Sequence, residues 1–175
     1  MSKQWHTFYE KRVNSTYQEY FEKRYNPVLD LISILLPEHN NNIVEIGCGI
    51  GSISKTFLNN KEITFTGFDI NNQMVQLANT NTNTTCFYQD DLFNFNFINN
   101  NNLKVSHGVL EHFNDEQLLL IKEKVNKSLH YVPLNGYKEP SFGDERLLPK
   151  EFWIEMFNPI IYMVFNNNKD LVFYY

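Results

Sequence analysis

The sequence predicts an α/β fold, a doubly wound and mostly parallel sheet with an antiparallel edge. Strand-like and helical segments alternate from residue 43 to residue 157, the pattern of parallel strands joined by crossover helices. The strand-like runs 160–165 and 170–175 flank Asn166-Asn-Asn-Lys169 and predict a closing antiparallel hairpin. A chain of 175 residues is most economically a single domain.

The first part of the chain, residues 1–37, is predicted to be a helical segment preceding a core over residues 42–175. Residues 5–36 are helical in pattern, and Pro27 divides them into the segments 8–25 and 28–36. One hypothesis makes this segment a lid over a pocket. The alternative, which we favour for most of its tyrosines, is packing against the core.

The elements of the core follow from the two-residue and 3.6-residue periodicities of apolar positions. The predicted strands that precede the hairpin are 43–46, 63–70, 84–89, 103–109 and 129–133. The predicted helices are 53–58, 71–78, 115–127 and 148–157.

Charge and composition limit the possible partners. The net charge of −5 and the pI near 5.5 leave no general electrostatic footprint for nucleic acid. No apolar run approaches the ~20 residues of a membrane helix, and the N-terminus is too polar for a secretory signal. The two cysteines, Cys48 and Cys86, have no metal-like spacing. We therefore expect a cytoplasmic protein without a membrane, nucleic-acid or metal partner.

A glycine-rich turn follows the first predicted strand. Gly47, Gly49 and Gly51 come directly after Ile43–Ile46, and a helical pattern begins at Ile53. A strand that turns through glycines into a helix directs free backbone N–H groups at a ligand, and glycine lets an anionic group approach the main chain closely. This turn predicts a binding site for an anionic group.

Acidic residues follow the next two strands. Asp69 stands where a carboxylate reaches a ribose diol in nucleotide-binding βαβ units, although it could instead cap the helix after it. Asp90 and Asp91 end the third strand and could accept a hydrogen bond from an exocyclic amine of a base, or act as turn residues. We favour Asp91 as the base acceptor because Leu92 and Phe93 follow it as an apolar shelf.

Four segments together resemble the successive motifs of the class I S-adenosylmethionine-dependent methyltransferases, especially those acting on small molecules. They are Glu45-Ile-Gly-Cys-Gly-Ile-Gly51, Gly67-Phe-Asp-Ile70, Asp90-Asp-Leu92 and Gly108-Val-Leu-Glu-His-Phe113. The resemblance implies a Rossmann-like, seven-stranded sheet with helices on both faces, in which the last hairpin inserts an antiparallel strand. It also implies S-adenosylmethionine as cofactor and S-adenosylhomocysteine as product.

The resemblance implies binding roles for individual positions. The methionine end of the cofactor would contact Glu45, Gly47, Cys48, Gly49 and Gly51. Asp69 and Ile70 would hold the ribose. Asp91, with Asp90 and Leu92, would hold the adenine, and the residues lining the sulfonium would be His107, Gly108 and Val109.

Catalysis needs a base only if the acceptor must lose a proton. His112, Glu111 and His107 are the candidate bases, because they are the titratable residues nearest the reacting end in this interpretation. Alternatively, Glu111 and His112 open the helix after the fourth strand and are structural. Glu145 and Arg146 could touch substrate, although we favour pairing with each other or a role in loop structure.

The absence of two known motifs restricts the classes of methyl acceptor. The segment Ser106-His-Gly-Val109 has neither the Asp/Asn-Pro-Pro-Tyr/Phe motif of amino-methylating DNA enzymes nor the Pro-Cys of cytosine-C5 enzymes. No metal-ligand cluster is visible for a metal-dependent catechol-type reaction. The prediction is therefore methyl transfer to O, N or C of a small molecule, or less favourably of a protein side chain, by a monomer or homodimer.

Two other functions are weighed against this one. The first is a non-catalytic sensor or partner subunit that binds S-adenosylmethionine, since its cofactor motifs would look the same. The second, more remote, is an NAD(P)-dependent oxidoreductase. Its Gly-x-Gly-x-x-Gly fingerprint would place a small residue at Ser52, whereas here the third glycine is Gly51, one position earlier.

Overall fold

The computed structural model describes residues 2–95, 101–140 and 144–175. The strands are β1 (Asn42–Ile46), β2 (Thr64–Asp69), β3 (Phe87–Gln89), β4 (Leu103–His107), β5 (Ser128–Pro133), β6 (Ile161–Phe165) and β7 (Asp170–Tyr174). The α-helices are α1 (Ser2–Tyr9), α2 (Ser15–Arg24), α3 (Asn26–Leu35), α4 (Ser52–Phe57), α5 (Asn72–Thr82), α6 (Asp115–Lys124) and α7 (Lys150–Phe157). Short 3₁₀ helices occur at Glu10–Arg12, Leu36–His39 and Leu110–His112.

The seven strands form a mixed sheet in the order β3-β2-β1-β4-β5-β7-β6. β1 pairs in parallel with β2 and β2 with β3, and β4 pairs in parallel with β5. β7 runs antiparallel to both β5 and β6, so the closing hairpin inserts an antiparallel strand. The predicted fold class is confirmed.

The chain divides into two compact units, residues 1–103 and 104–175. We call them the N-terminal unit and the C-terminal unit. The single domain over residues 1–175 stays a prediction. Among the described helices, none has the length and apolar character that crossing a membrane requires.

The N-terminal unit begins with three α-helices rather than the two predicted. The expected helix over 8–25 is wrong because Asn14 interrupts it: its side chain accepts a hydrogen bond from the backbone N–H of Tyr17 (2.8 Å) and donates one to the carbonyl of Lys11 (2.8 Å). An asparagine that caps a helix start in this way ends the preceding turn. Pro27 lies in the first turn of α3, where its missing N–H costs nothing.

The strands of the N-terminal unit position the glycine turn. β1 is buried from Ile43 to Ile46, as a central parallel strand should be. β3 is shorter than predicted and starts at Phe87. The backbone N–H and carbonyl of Phe87 bond to the side chain of Asn79 on α5 (3.2 and 3.0 Å), which ties this strand to the helix.

The C-terminal unit has a fully buried pair of strands at its centre, β5 and β7. His130 on β5 bonds through Nδ1 to the hydroxyl of Ser106 (2.6 Å) and through Nε2 to the hydroxyl of Ser128 (2.9 Å). The Ser128 hydroxyl donates to the carbonyl of Val125 (3.1 Å), so it accepts from His130 Nε2–H and leaves Nδ1 as an acceptor. Burial lowers the pKa of His130 to about 3, so this histidine is a neutral core residue.

Candidate functional site

The glycine turn that follows β1 has the backbone geometry that only glycine adopts without strain. Gly47, Gly49 and Gly51 have φ of +60°, +54° and +70°. The backbone N–H of Cys48 donates to the carbonyl of Phe68 on β2 (2.9 Å), which fixes the turn against the neighbouring strand. The Cys48 side chain is itself buried, and burial raises the pKa of its thiol. Only the backbone of Cys48 is therefore suited to contact a ligand.

Gly49 and Gly51 have different surroundings. A Cβ atom on Gly51 would lie 3.2 Å from the ring of Phe87 and 3.2 Å from the methyl group of Thr82, so this glycine allows the turn to pack tightly. A Cβ on Gly49 would meet only Met74, at 3.9 Å. Gly49 is thus the glycine whose side remains open to a ligand, whereas Gly51 has a packing reason of its own.

Asp69, the last residue of β2, is held by the turn. One carboxylate oxygen accepts from the backbone N–H of Gly49 (3.0 Å) and the other accepts from that of Asn71 (2.9 Å). The N-cap of α5 is Asn71, which bonds to the backbone N–H of Gln73, so Asp69 does not cap this helix. Burial raises the pKa of Asp69, and the two backbone hydrogen bonds oppose that effect.

Asp90 and Asp91 follow β3 beside Asp69. The backbone N–H of Asp90 donates to the carbonyl of Asp69 (3.1 Å), so the two strand ends lie together. The Asp90 carboxylate accepts from the backbone N–H of Asp91 (2.7 Å), and that of Asp91 accepts from the backbone N–H of Phe93 (2.9 Å). Both acids therefore also act as turn residues, and the choice between them as the adenine contact stays a prediction.

The apolar residues near these acids differ in burial. Leu92 is buried in the core and Phe93 is half-buried, and the role of Leu92 at the adenine stays a prediction. Ile70, directly after Asp69, is instead 69% exposed. An exposed apolar side chain beside a carboxylate is a surface on which a planar base or ribose can pack.

Glu45 on β1 is buried, and its carboxylate is hydrogen-bonded to α4. Its Oε2 accepts hydrogen bonds from the backbone N–H of Ser54 (3.2 Å) and the Ser54 hydroxyl (2.5 Å). Burial raises its pKa to about 7, while the Ser54 hydrogen bonds and a backbone bond from Ile53 oppose the rise. The side chain thus fastens the helix after the glycine turn, and its role at the methionine end stays a prediction.

The Glu45 carboxyl should make stability depend on pH. Because its pKa rises from 4.5 to about 7 on folding, the folded state binds its proton more tightly, and the free energy of unfolding should fall as the pH rises from about 4.5 to about 7. The expected loss is up to about 3 kcal/mol. Urea unfolding of the wild type and Glu45→Gln across this range tests it: the difference between the two proteins should change with pH, and a constant difference would contradict the prediction.

In the C-terminal unit, His107 ends β4 and Gly108 follows with φ of +69°. The His107 ring stacks on Tyr131, with ring centroids 4.3 Å apart. The backbone N–H of Gly108 donates to the carbonyl of Tyr131 (3.2 Å). The strand was expected to continue to Val109, but the left-handed Gly108 ends it. The sulfonium-lining roles of His107, Gly108 and Val109 stay predictions, as does catalysis by His107, Glu111 or His112.

The structural alternative for Glu111 and His112 places them at the start of the helix after the fourth strand, but they do not lie in α6. They lie in the 3₁₀ helix Leu110–His112, whereas α6 begins after Asn114. Asn114 and Gln117 bond reciprocally to each other's backbone N–H groups (2.9 and 3.0 Å) in a capping box, which places the helix start. Glu111 is buried, and burial together with the charge of Glu145 raises its pKa to about 8.

The segment 144–146 returns over the 3₁₀ helix. The backbone N–H of Arg146 donates to the carbonyl of Glu111 (2.9 Å). The guanidinium of Arg146 bonds to the Asp115 carboxylate (2.6 Å) and the Phe113 carbonyl (2.5 Å), which fits the role in loop structure that we favour beside pairing with Glu145. These bonds hold the segment in place and bring Glu145 beside the 3₁₀ helix.

Three potential metal ligands meet here. Glu111, His112 and Glu145 each place one ligand atom within 4.8 Å of the others. These three residues could hold a metal ion, so the expectation that no metal binds stays a prediction. Spacing could not reveal this cluster because Glu145 joins the other two through the fold and not through a local pattern.

Two further residues, Gln18 and Asp144, were not predicted from the sequence. Gln18 on α2 is buried, and its amide nitrogen lies 3.0 Å from both the carbonyl of Ser52 and the hydroxyl of Thr56 on α4. Asp144 bonds to Nδ1 of His112 at 2.9 Å. Neither residue belongs to a motif, and no local signal in the sequence points to either contact.

Comparison with known families agrees with this geometry. A family model described as a methyltransferase domain matches residues 43–130, slightly more than half of the chain. The matched region runs from β1 through the first half of β5 and includes the glycine turn, Asp69 and the acids after β3. The search of curated proteins found no match.

Solved structures resemble the chain at low sequence identity. Magnesium protoporphyrin IX methyltransferase from Synechocystis, with bound SAH, is 13% identical with a TM-score of 0.63, over 96% of this chain and 97% of that one. The small RNA methyltransferase HEN1 is 14% identical with a TM-score of 0.70, over 85% of this chain and 24% of that one. A candidate O-methyltransferase from Nostoc punctiforme is 12% identical with a TM-score of 0.64, over 86% of this chain. This chain spans only 56% of the Nostoc protein, and such identities show the fold alone.

Proposed function

This chain belongs to the methyltransferase-domain family, whose reaction uses S-adenosylmethionine, and on that premise we propose that it methylates O, N or C of a small molecule. The observation that supports the cofactor most directly is the hydrogen bond between Gly49 N–H and the Asp69 carboxylate. It joins the two strongest sequence motifs into one binding surface of the N-terminal unit.

The residues of the N-terminal unit fit this cofactor. Each Asp69 carboxylate oxygen accepts one backbone N–H and retains a second acceptor site for a ribose hydroxyl. Two backbone bonds orient the carboxylate before any ligand arrives, which lowers the entropic cost of binding. Gly49 leaves the approach to the turn open, and exposed Ile70 adds an apolar surface beside the ribose position.

The proposed reaction requires little acid–base catalysis from the protein's side chains. When bound, S-adenosylmethionine supplies a methyl group that its sulfonium already activates. The protein must orient donor and acceptor and exclude water, and good alignment can lower the barrier by ~7–11 kcal/mol at best. Asp69, Gly49 and Ile70 would orient the cofactor, with Asp90 or Asp91 accepting a hydrogen bond from the adenine amine.

The negative net charge of the chain favours a small-molecule acceptor over nucleic acid. The chain has 15 Lys and Arg against 20 Asp and Glu residues, so its net charge repels a polyanion. The likeness to an RNA methyltransferase does not change this proposal, since the fold is shared with methyltransferases of other substrates.

Calorimetry with three ligands tests the cofactor. We expect S-adenosylmethionine and S-adenosylhomocysteine to bind at one equivalent and NAD to show no heat of binding. The physical reason is that the turn lacks the glycine spacing that a dinucleotide pyrophosphate needs. Binding of NAD without the other two would overturn the methyltransferase proposal.

Transfer itself is tested with the tritiated methyl donor and fractionated metabolite pools. Label in a small-molecule fraction supports the proposed enzyme, and heat-inactivated protein serves as the control. Tight cofactor binding without transfer to any fraction would overturn the catalytic proposal in favour of a cofactor-binding sensor.

A further inference from the structure

The cluster of Glu111, His112 and Glu145 lies within the C-terminal unit and has not been used by the proposed function. One ligand atom from each residue lies within 4.8 Å of the other two. An ion about 2.1 Å from each of three ligands holds them roughly 3–4 Å apart, so small side-chain adjustments would close the group around a cation. The Arg146–Glu111 backbone bond of 2.9 Å keeps the two segments in register.

Glu111 is the residue that points to a missing partner. Its side chain is only 2% exposed, and its Oε2 has no hydrogen-bond partner among the described residues. Burying a carboxyl oxygen without a hydrogen bond or counter-charge costs several kcal/mol in apolar surroundings. A cation on this oxygen would remove that cost.

The guanidinium of Arg146 has partners outside the cluster. It bonds to Asp115 and to the carbonyl of Phe113. The positive charge of Arg146 therefore lies at the start of α6. The charge of Glu145 acts unfavourably on the Glu111 carboxylate.

His112 has the arrangement of a metal-ligating histidine. Its Nδ1 lies 2.9 Å from the Asp144 carboxylate, which can only accept, so Nδ1 carries a proton. In the neutral ring Nε2 is then the nitrogen with the lone pair. Ligating histidines commonly donate their second N–H to a carboxylate in this way, and the bond orients the ring.

We propose that Glu111, His112 and Glu145 bind a divalent cation, with Asp144 positioning His112. Two carboxylates and one neutral imidazole balance a divalent charge and suit a first-row ion such as Mn²⁺. Three protein ligands leave further coordination positions open, as catalytic metal sites do and closed structural sites do not. This site goes beyond the proposed function and does not depend on it.

Mn²⁺ is the probe, because Zn²⁺ would also bind thiols and Cys86 is exposed. The full chain, stripped with EDTA and exchanged into buffer, is titrated with MnCl₂ and free Mn²⁺ is read by electron paramagnetic resonance. We expect one equivalent to bind, Glu111→Gln to weaken the affinity at least about tenfold, and Asp144→Asn to weaken it about 10–100-fold. Glu116→Gln, an exposed glutamate on α6, is the matched control and should bind as the wild type does.

Circular dichroism of each variant reports folding, and the exposed Asp144 should tolerate substitution even if Glu111 does not. No Mn²⁺ binding, or equal binding by wild type, Glu111→Gln and Asp144→Asn, overturns the cation site. Calorimetry with S-adenosylmethionine in EDTA is run in parallel. Cofactor binding without Mn²⁺ binding would overturn the cation site alone, and Mn²⁺ binding without cofactor binding would overturn the proposed function alone.

Discussion

Asp69→Ala is expected to weaken S-adenosylmethionine binding by roughly tenfold or more, because hydrogen bonds to a charged group contribute about 1.5–3 kcal/mol. The substitution removes the proposed ribose acceptor. It also removes the carboxylate that receives the Gly49 N–H at 3.0 Å, so the turn loses its restraint as well. Isothermal titration calorimetry of wild type and variant measures the ratio of dissociation constants.

Asp30→Ala is the matched control for this experiment. Asp30 is exposed on α3 in the same unit, so its replacement removes the same charge without touching the turn. We expect its cofactor affinity to equal that of the wild type. An Asp69→Ala protein that is folded by circular dichroism and binds as the wild type does would refute the ribose role.

Gly51→Ala is expected to destabilise the protein by about 2–5 kcal/mol, since left-handed backbone costs an alanine about 1–2 kcal/mol and overpacking about 1–3 kcal/mol. The residue has φ of +70°, and its new methyl group would lie 3.2 Å from Phe87 and from Thr82. Urea unfolding monitored by circular dichroism measures the loss.

Gly49→Ala is the comparison that separates packing from binding. It has a similar φ of +54° but open space around a Cβ, so only the backbone cost of about 1–2 kcal/mol is expected. Its cofactor affinity should nevertheless fall, because the methyl group would stand between the turn and the ligand. Equal destabilisation by the two substitutions, or unchanged cofactor affinity in Gly49→Ala, would contradict this division of roles.

Much of the fold could be predicted because its signals are local. The glycine turn after β1 and the hairpin around Asn166–Asn168 are both encoded within a few neighbouring residues. The first helical segment was less predictable. An asparagine such as Asn14 can either continue a helix at modest cost or cap the start of a new one. In the structure it caps a new helix, because its side chain bonds to the backbone of Lys11 and Tyr17.

The roles of individual site residues were predicted unevenly. The position of Asp69 at a strand end was readable from the sequence, since parallel strands end at the same edge of a sheet. The hydrogen bond between Asp69 and the backbone of Gly49 could not be predicted from the sequence. The same is true of the hydrogen bond between the Glu45 carboxylate and Ser54. Side-chain hydrogen bonds depend on distances that the order of residues does not specify.

The sequence by itself determined the class of fold and the cofactor motifs, because each motif is a contiguous stretch whose backbone geometry follows from its own residue types. Only the tertiary structure decided that Gly51 is a packing residue, since Phe87 and Thr82 reach it from later elements. It alone brought Glu145 to Glu111 and His112. That meeting depends on the return of segment 144–146 over the 3₁₀ helix, a contact between residues distant in the chain that no periodicity or spacing encodes.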